Sequence, residues 1–368
     1  MSFFKIQRLI TLCARLAYFC ILFFALRTVR IPALPFLSPD GSAALYALVL
    51  IIPLGHASSF WFMTVSTLSV IASVCAACEL LIRRFSFYPY WRTLVLHGYA
   101  PFLLCFLYLL WGLAQAKFIR KKRYTITTRH PLPSRRLRIV HMADMHPWRL
   151  QTKWELGRIY AMIDEEKPDL MMLTGDIFDE NTTPKMFRRY LRLFAALHPK
   201  YGIYFVFGNH DAYSRWKVPS HTRDDILREF ASVGIRILED ETILTADGLI
   251  RIAGRRDLDE ERMTPEELLS SGQLFSGFTV LLCHEPVEFS QCADAGADLI
   301  LAGHTHGGQI FPLGIITHRL LKIHDGNTGK IPLSRGAHAI ITSGVSTWSY
   351  PIRTESQSEI VIIDILQE

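Results

Sequence analysis

Acidic side chains are nearly missing from the first third of this 368-residue chain: residues 1–136 contain Asp40 and Glu79 as their only carboxylates, against sixteen Lys and Arg. Charge of either sign is absent from residues 41–78 and again from residues 93–116. A membrane-spanning helix needs about 20 predominantly apolar residues. The first stretch therefore holds a hairpin of two spans, turning at Gly55-His56-Ala57-Ser58-Ser59, and the second holds one span. Residues 9–26 form a fourth candidate, with Arg15 placed to snorkel toward the interface. A cleaved signal peptide would account for residues 5–26 only.

Cysteine is also scarce. Cys13, Cys20, Cys75, Cys78 and Cys105 lie in the apolar region, and Cys283 and Cys292 lie beyond it. No disulfide framework follows from that distribution, which fits a reducing compartment. Internal repeats and low-complexity tracts are missing too, and a repeat architecture is excluded with them.

The charge balance reverses after the apolar region. Residues 137–368 carry 24 Lys or Arg against 32 Asp or Glu, a net of −8. The overall +6 thus comes from cations flanking hydrophobic stretches, where membrane anchoring explains them better than nucleic-acid binding. The densest cluster, Arg120-Lys121-Lys122-Arg123, directly follows the last span. Four spans with both ends inside place this cluster and the following domain in the cytoplasm. Arg83, Arg84 and Arg92 would then face outward, against the same rule. The organisation expected is a helical membrane region over residues 1–116 with three to four spans, a basic polar linker over 117–136 rich in Pro and Ser near its end, and a domain over 137–368.

From Leu137 onward strands alternate with helices. Strands are predicted at 137–143, 169–174, 202–207, 249–253, 278–283, 298–302, 340–343 and 359–365. Helices are predicted at 154–166, from Pro184 onward, and at 222–233. This pattern argues for an α/β layered domain whose site forms at the carboxyl ends of strands.

Five motifs follow strands in series: Asp144-Met145-His146, Gly175-Asp176-Ile177-Phe178-Asp179, Gly208-Asn209-His210-Asp211, His284, and Gly303-His304-Thr305-His306-Gly307-Gly308. Residues two apart on an extended segment point the same way, so Asp144 with His146 and His304 with His306 can each face one ion. A carboxylate such as Asp176 has two oxygens and can bridge two cations. Asn209 offers an amide oxygen while the adjacent His210 faces elsewhere. Any one of these motifs alone would be a turn or a helix cap. Five in order supply the donors of a two-metal hydrolytic site. His141, His198, His221, His318, His324 and His338 have no such support and are expected to be surface or packing residues.

On these motifs the chain resembles the calcineurin-like metallophosphoesterase superfamily over residues 137–368. The resemblance implies a layered αββα sandwich. It implies one metal held by Asp144, His146, Asp176 and His306, and a second by Asp176, Asn209, His284 and His304. His210 would be the catalytic His that binds no metal, oriented by Asp179. Purple acid phosphatases of this superfamily carry a Tyr ligand where this chain has Asp179, a departure that favours Mn²⁺, or Zn²⁺ or Fe²⁺, over a ferric centre. Two divalent ions against two Asp ligands leave a positive surplus for an anionic phosphoryl group.

The extended Gly303–Gln309 motif and the late Pro351-Ile352-Arg353 are similar to the membrane-associated YkuE/YaeI-type branch, which includes the chlamydial-type UDP-2,3-diacylglucosamine pyrophosphatase of lipid A synthesis. That resemblance implies an integral protein of a bacterial inner membrane. Arg353, and Arg256 after the strand at 249–253, are expected to contact substrate phosphate. Residues 310–335 mix Phe311, Leu313, Ile315, Ile316, Leu320 and Leu321 with Arg319, Lys322 and Lys330, an apolar lip suited to an amphiphilic phosphorylated substrate beside a lipid bilayer. The expected function is a membrane-anchored phosphohydrolase of a lipid-linked phosphate or pyrophosphate. The alternatives are a nucleotide or nucleic-acid phosphodiesterase, disfavoured by the acidic domain, and a non-catalytic metal-binding scaffold.

Overall fold

The charge-free stretches are helical wherever the computed structural model describes them, over residues 59–96, 99–147, 152–211, 221–270 and 275–368. Two compact units result, residues 1–112 and 113–368. The first contains helices α1 (Ser59–Ile82) and α2 (Tyr88–Leu96), and most of α3 (Tyr99–Lys117). Among the described residues, α3 is the helix long and apolar enough to cross a membrane. At 1.5 Å per residue it spans about 28 Å, close to the thickness of a hydrocarbon core. It also exposes Phe102, Leu103, Phe106, Leu110 and Trp111, side chains that gain nothing from water. The several spans expected from the sequence thus reduce to one in the described part. Residues 9–26 and the first leg of the 41–78 hairpin lie outside the described residues.

In the second unit, strands β1 (Arg120–Thr128) and β2 (Arg136–Met142) precede α4 (Lys153–Asp164). Next come β3 (Leu170–Thr174), α5 (Pro184–Ala195), β4 (Ile203–Val206), α6 (Arg223–Ser232) and β5 (Ile235–Ile237). The second half continues with β6 (Glu241–Leu244), β7 (Ile250–Gly254), α7 (Pro265–Ser270), β8 (Phe278–Leu282), α8 (Phe289–Asp294) and β9 (Leu299–Ala302). It closes with β10 (Gly329–Pro332), β11 (His338–Ile341) and β12 (Glu359–Gln367). Helix starts follow local chemistry. Thr152 and Glu155 form a capping box on α4, Thr222 and Asp225 do so on α6, and Thr183 caps α5 ahead of Pro184.

Two mixed six-stranded sheets result, ordered β1-β12-β2-β3-β4-β5 and β10-β11-β9-β8-β7-β6. In the first, β2 to β5 run parallel, and in the second β7, β8, β9 and β11 do. Inward residues of both sheets, among them Ile139, Met172, Val206, Ile252, Val280 and Leu301, share one apolar core. The outer face of the first sheet packs on Ile159, Phe194 and Phe230 of α4, α5 and α6. The outer face of the second packs on Leu268 and Cys292 of α7 and α8. These four layers are the αββα sandwich expected. Strands buried on both faces read as unbroken apolar runs, as Leu170–Leu173 does.

The expected linker is corrected in part. Residues 120–128 form β1, paired in parallel with β12 over its nine residues. The basic cluster finds carboxylates there: Arg120 meets Glu359 at 3.0 Å, while Lys121 and Arg123 reach Glu166 at 2.7 and 2.6 Å. Pro131 and Pro133 fall in the connection to β2, where a missing N–H costs nothing.

Candidate metal centre

The carboxyl ends of β2, β3 and β4 from one sheet, and of β8 and β9 from the other, converge on a single set of side chains. Backbone bonds stitch the loops together. Met145 N donates to Asp176 O at 2.8 Å, His210 N to Asp176 Oδ1 at 2.8 Å, and His304 N to Asp144 Oδ2 at 3.1 Å. Asp211 buries its carboxylate among three donors, taking Asp176 N (2.7 Å) and Gly208 N (2.8 Å) on Oδ2 and Phe178 N (2.9 Å) on Oδ1. Two glycines allow these approaches. A Cβ at Gly208 would lie 2.4 Å from Asp176 Oδ1, and one at Gly303 would lie 2.5 Å from Ala143 Cβ. Asp144, His146, Asp176, His304 and His306 all adopt positive φ, between 31° and 71°. That backbone region is costly for residues with a Cβ and clusters at functional sites.

Two groups of buried donors result, Asp144 with His146 and His306, and Asp144 with Asp176 and His284, each with its ligand atoms within 4.8 Å of one another. Asp176 Oδ2 lies 3.6 Å from His146 Nε2 and 3.3 Å from His284 Nε2, within reach of both sides. Asn209 Oδ1 adjoins His284 Nε2 at 3.1 Å and His304 Nδ1 at 3.2 Å. All seven residues expected as ligands are therefore together.

The donor set fits cations. His146 Nε2 faces His306 Nε2 at 3.2 Å, and His304 Nδ1 faces His284 Nε2 at 3.2 Å. Facing imidazole nitrogens can share one proton as a hydrogen bond or, both bare, converge on a cation. Nitrogens on the far side are tied to the backbone, His284 Nδ1 to Thr174 O (2.8 Å) and His306 Nδ1 to Ser346 O (3.3 Å). The bond at His284 favours the tautomer that turns a bare Nε2 inward; at His306 the same Nδ1 also meets the Arg353 guanidinium at 3.3 Å. Burial pushes His304 down to about 4 and holds His146 and His306 below the usual histidine range, the neutral state a metal requires; at His284 burial is outweighed by Asp176, which raises it. Asp144 is pushed up to about 7 by burial and then by the Asp176 charge, with His284 and Arg353 opposing.

His210 stands beside the cluster, its ring 5.4 Å from that of His146 and 5.6 Å from that of Trp348. Its partner is Glu180, whose Oε2 lies 3.2 Å from Nδ1, and not Asp179, the residue the resemblance implies. Asp179 instead accepts from Asn181 N (2.9 Å) and Thr182 Oγ1 (3.1 Å), closing the turn before α5, and lies 3.8 Å from His146 Nδ1. Burial opposes the charged imidazole of His210, but Glu180 and Asp176 outweigh it and raise its pKa.

Both arginines expected at the substrate are elsewhere. Arg353 is fully buried and donates to His306 O at 3.0 Å, Ser356 Oγ at 2.9 Å and Ser346 O. It braces the His306 loop from behind, and burial pushes it down to about 10. Arg256 points to the surface beside Asp240. The Arg-Arg pair gave no local sign of which one faces in. Arg255 turned inward to Glu288, at 2.7 Å.

An open cavity of about 770 Å³ exposes Asp176, Asn209, His304 and His306, and is also lined by Asp257, Glu285, His324 and Trp348. Among the described residues, no Lys or Arg lines it. His324, expected to be a packing or surface residue, sits 5.3 Å ring to ring from His304. Beside it, Phe311, Leu313, Leu320, Leu321 and Ile323 remain exposed around a short π-helix, Ile315–Leu320.

The family model for calcineurin-like phosphoesterases matches residues 137–308. An uncharacterized metallophosphoesterase of Aquifex aeolicus is 31% identical over 253 residues, covering 67% of this chain and 92% of its own. Metallophosphoesterase YkuE of Bacillus subtilis is 30% identical over 238 residues, 62% of this chain and 78% of its own length. A Danio rerio transmembrane protein with a metallophosphoesterase domain is 28% identical over 249 residues, 63% of this chain and 53% of its own length.

Proposed function

This chain belongs to the calcineurin-like metallophosphoesterase family, and from that premise we propose that it is a membrane-tethered hydrolase that cleaves a phosphate ester of a lipid-linked substrate at two divalent cations. One observation carries the reading: two buried donor groups that share Asp144, with Asp176 within reach of the histidines of both, lie beneath an open cavity. Asp144, His146, Asp176 and His306 would hold one ion, and Asp176, Asn209, His284 and His304 the other. Bound divalent ions supply Lewis acidity, polarising water and the phosphoryl oxygens. We take the ions to be Mn²⁺, with Zn²⁺ or Fe²⁺ as alternatives, since a mixed imidazole and carboxylate set accepts all three. His210, protonated against Glu180, gives its proton to the departing alcohol oxygen. Arg353 acts from behind by fixing the His306 loop.

The tether rests on α3 and on the charge-free stretches before it, which support further spans within residues 1–116, and the Arg120–Arg123 cluster after the last span supports a domain on the cytoplasmic side of a bacterial inner membrane. The exposed apolar side chains around Ile315–Leu320, with Arg319 and Lys322 among them, suit acyl chains at a bilayer surface. A polyanionic substrate fits less well. Among the described residues the cavity is lined by carboxylates and no Lys or Arg, which favours a substrate of low negative charge over a nucleic-acid strand or a nucleotide-sugar pyrophosphate such as UDP-2,3-diacylglucosamine.

Full-length protein in lipid vesicles, loaded with Mn²⁺, is expected to hydrolyse bis-p-nitrophenyl phosphate and to release phosphate or a phosphoalcohol from a membrane lipid extract. Binding of metal without turnover of either would leave a scaffold instead of a hydrolase. Faster turnover of single-stranded DNA than of any lipid would remove the lipid reading.

A further inference from the structure

The last carbonyls of a helix have no partner within it and must find donors elsewhere. Those of α3 find them on one short segment. Gln115 O accepts Ser358 N at 3.1 Å, and Ala116 O accepts Ser358 Oγ at 2.9 Å. Phe118 O, just past the helix, accepts Gln357 Nε2 at 2.7 Å. Residues 115–118 belong to the same compact unit as the metal centre. Ser358 is fully buried, so water does not stand in for its bonds.

The same segment holds one of the expected ligands. Ser356 Oγ donates to His306 O at 2.6 Å and accepts from Arg353 Nη1 at 2.9 Å. The packing is tight, since a Cβ at Gly307 would lie 2.8 Å from Ser356 Cβ. His306 has a φ of 51°, and a residue with a Cβ stays in that region only where its surroundings over-determine it. Ser356 and Arg353 supply that constraint. Ser343 Oγ donates to Gln357 O at 2.6 Å and Arg120 N to Ser358 O at 3.0 Å, which pins the segment between its two ends. Resting on the two-metal reading above, we propose that Ser356, Gln357 and Ser358 are positioning residues that tie His306 to the last turn of α3. The ion held by Asp144, His146, Asp176 and His306 then depends on how that helix end is seated, and the ion on the Asn209, His284 and His304 side does not.

The test titrates full-length protein with Mn²⁺ by calorimetry, and with Co²⁺ while its visible spectrum is followed. Ser358→Ala deletes the bond to Ala116 without touching His306. One ion is expected to bind about 10–100-fold more weakly, with the affinity of the other unchanged and the Co²⁺ bands altered for one site alone. Ser356→Ala, which loses the bond to His306 O itself, should weaken the same ion at least as much. Gln357→Ala, at a half-buried side chain, should act on that ion in the same direction and carries the test if Ser358→Ala fails to fold. Equal weakening of both ions, or unchanged affinity for both, overturns the proposal and leaves the hydrolase reading intact. Wild-type protein that binds no ion removes both.

Discussion

The end of the first sheet supplies Asp144, His146, Asp176, Asn209 and His210, whereas the end of the second supplies only His284, His304 and His306. Every carboxylate within the donor groups therefore hangs from one sheet, and the other adds imidazoles alone. Neither half completes a pair of sites. The two meet because Ile139, Met172, Ile252 and Val280 lock the sheets face to face in one core. Charge comes from one layer and soft nitrogen donors from the other, so the packing of the sandwich is itself a condition of chemistry.

Breaking the first-sheet half should have the largest effect. Asp176→Ala removes the carboxylate that reaches both sides. Elemental analysis should show both ions lost, with turnover of bis-p-nitrophenyl phosphate falling beyond the roughly 10–100-fold typical of outer partners. Retention of one ion would confine Asp176 to one group. His210→Ala should keep the metal content and cut kcat by about 10²–10⁴. If the ions leave instead, His210 belongs among the donors.

A finer cut separates Glu180 from Asp179. The Glu180 bond raises the His210 pKa, and the acid form is the one present below that pKa. Glu180→Gln should lower it, moving the alkaline limb of the kcat profile to lower pH. Asp179→Asn should leave the limb in place, and the reverse result would restore Asp179 as the partner.

The smallest effect lies at the edge of the first sheet, away from the cavity. Burial opposes the charge of Glu166, but bonds from Arg123 and Lys121 outweigh it and hold its pKa below the usual range. Its contribution is present above the unfolded pKa and is lost as pH falls through the folded one. Glu166→Gln should cost about 1.5–3 kcal/mol near neutrality and flatten the acid side of the stability curve, with kcat unchanged. Calorimetric unfolding across pH reads both.

Much of this was legible in the chain. Strand ends followed by Asp, Asn or His located all seven donors, because parallel strands deliver their following residues to one edge of a sheet. The strands buried on both faces stood out as apolar runs. β1 did not, since Arg120–Arg123 reads as a solvated cluster until Glu166 and Glu359 are known to lie beside it. Glu180 was hidden for a similar reason: adjacent carboxylates at 179 and 180 look equivalent, and only the turn closed by Thr182 sends Asp179 inward. Asp257, Glu285 and Trp348 carry no spacing at all. They come to one cavity only through the fold.

The left-handed backbone at Asp144, His146, Asp176, His304 and His306 sets thermal robustness and chemistry against each other. In metal-free protein, glycine at any of these places relaxes the local torsion by roughly 1 kcal/mol, so a library sorted for heat resistance in chelator is pulled toward glycine and away from the donors. Only a screen that reads turnover would keep them.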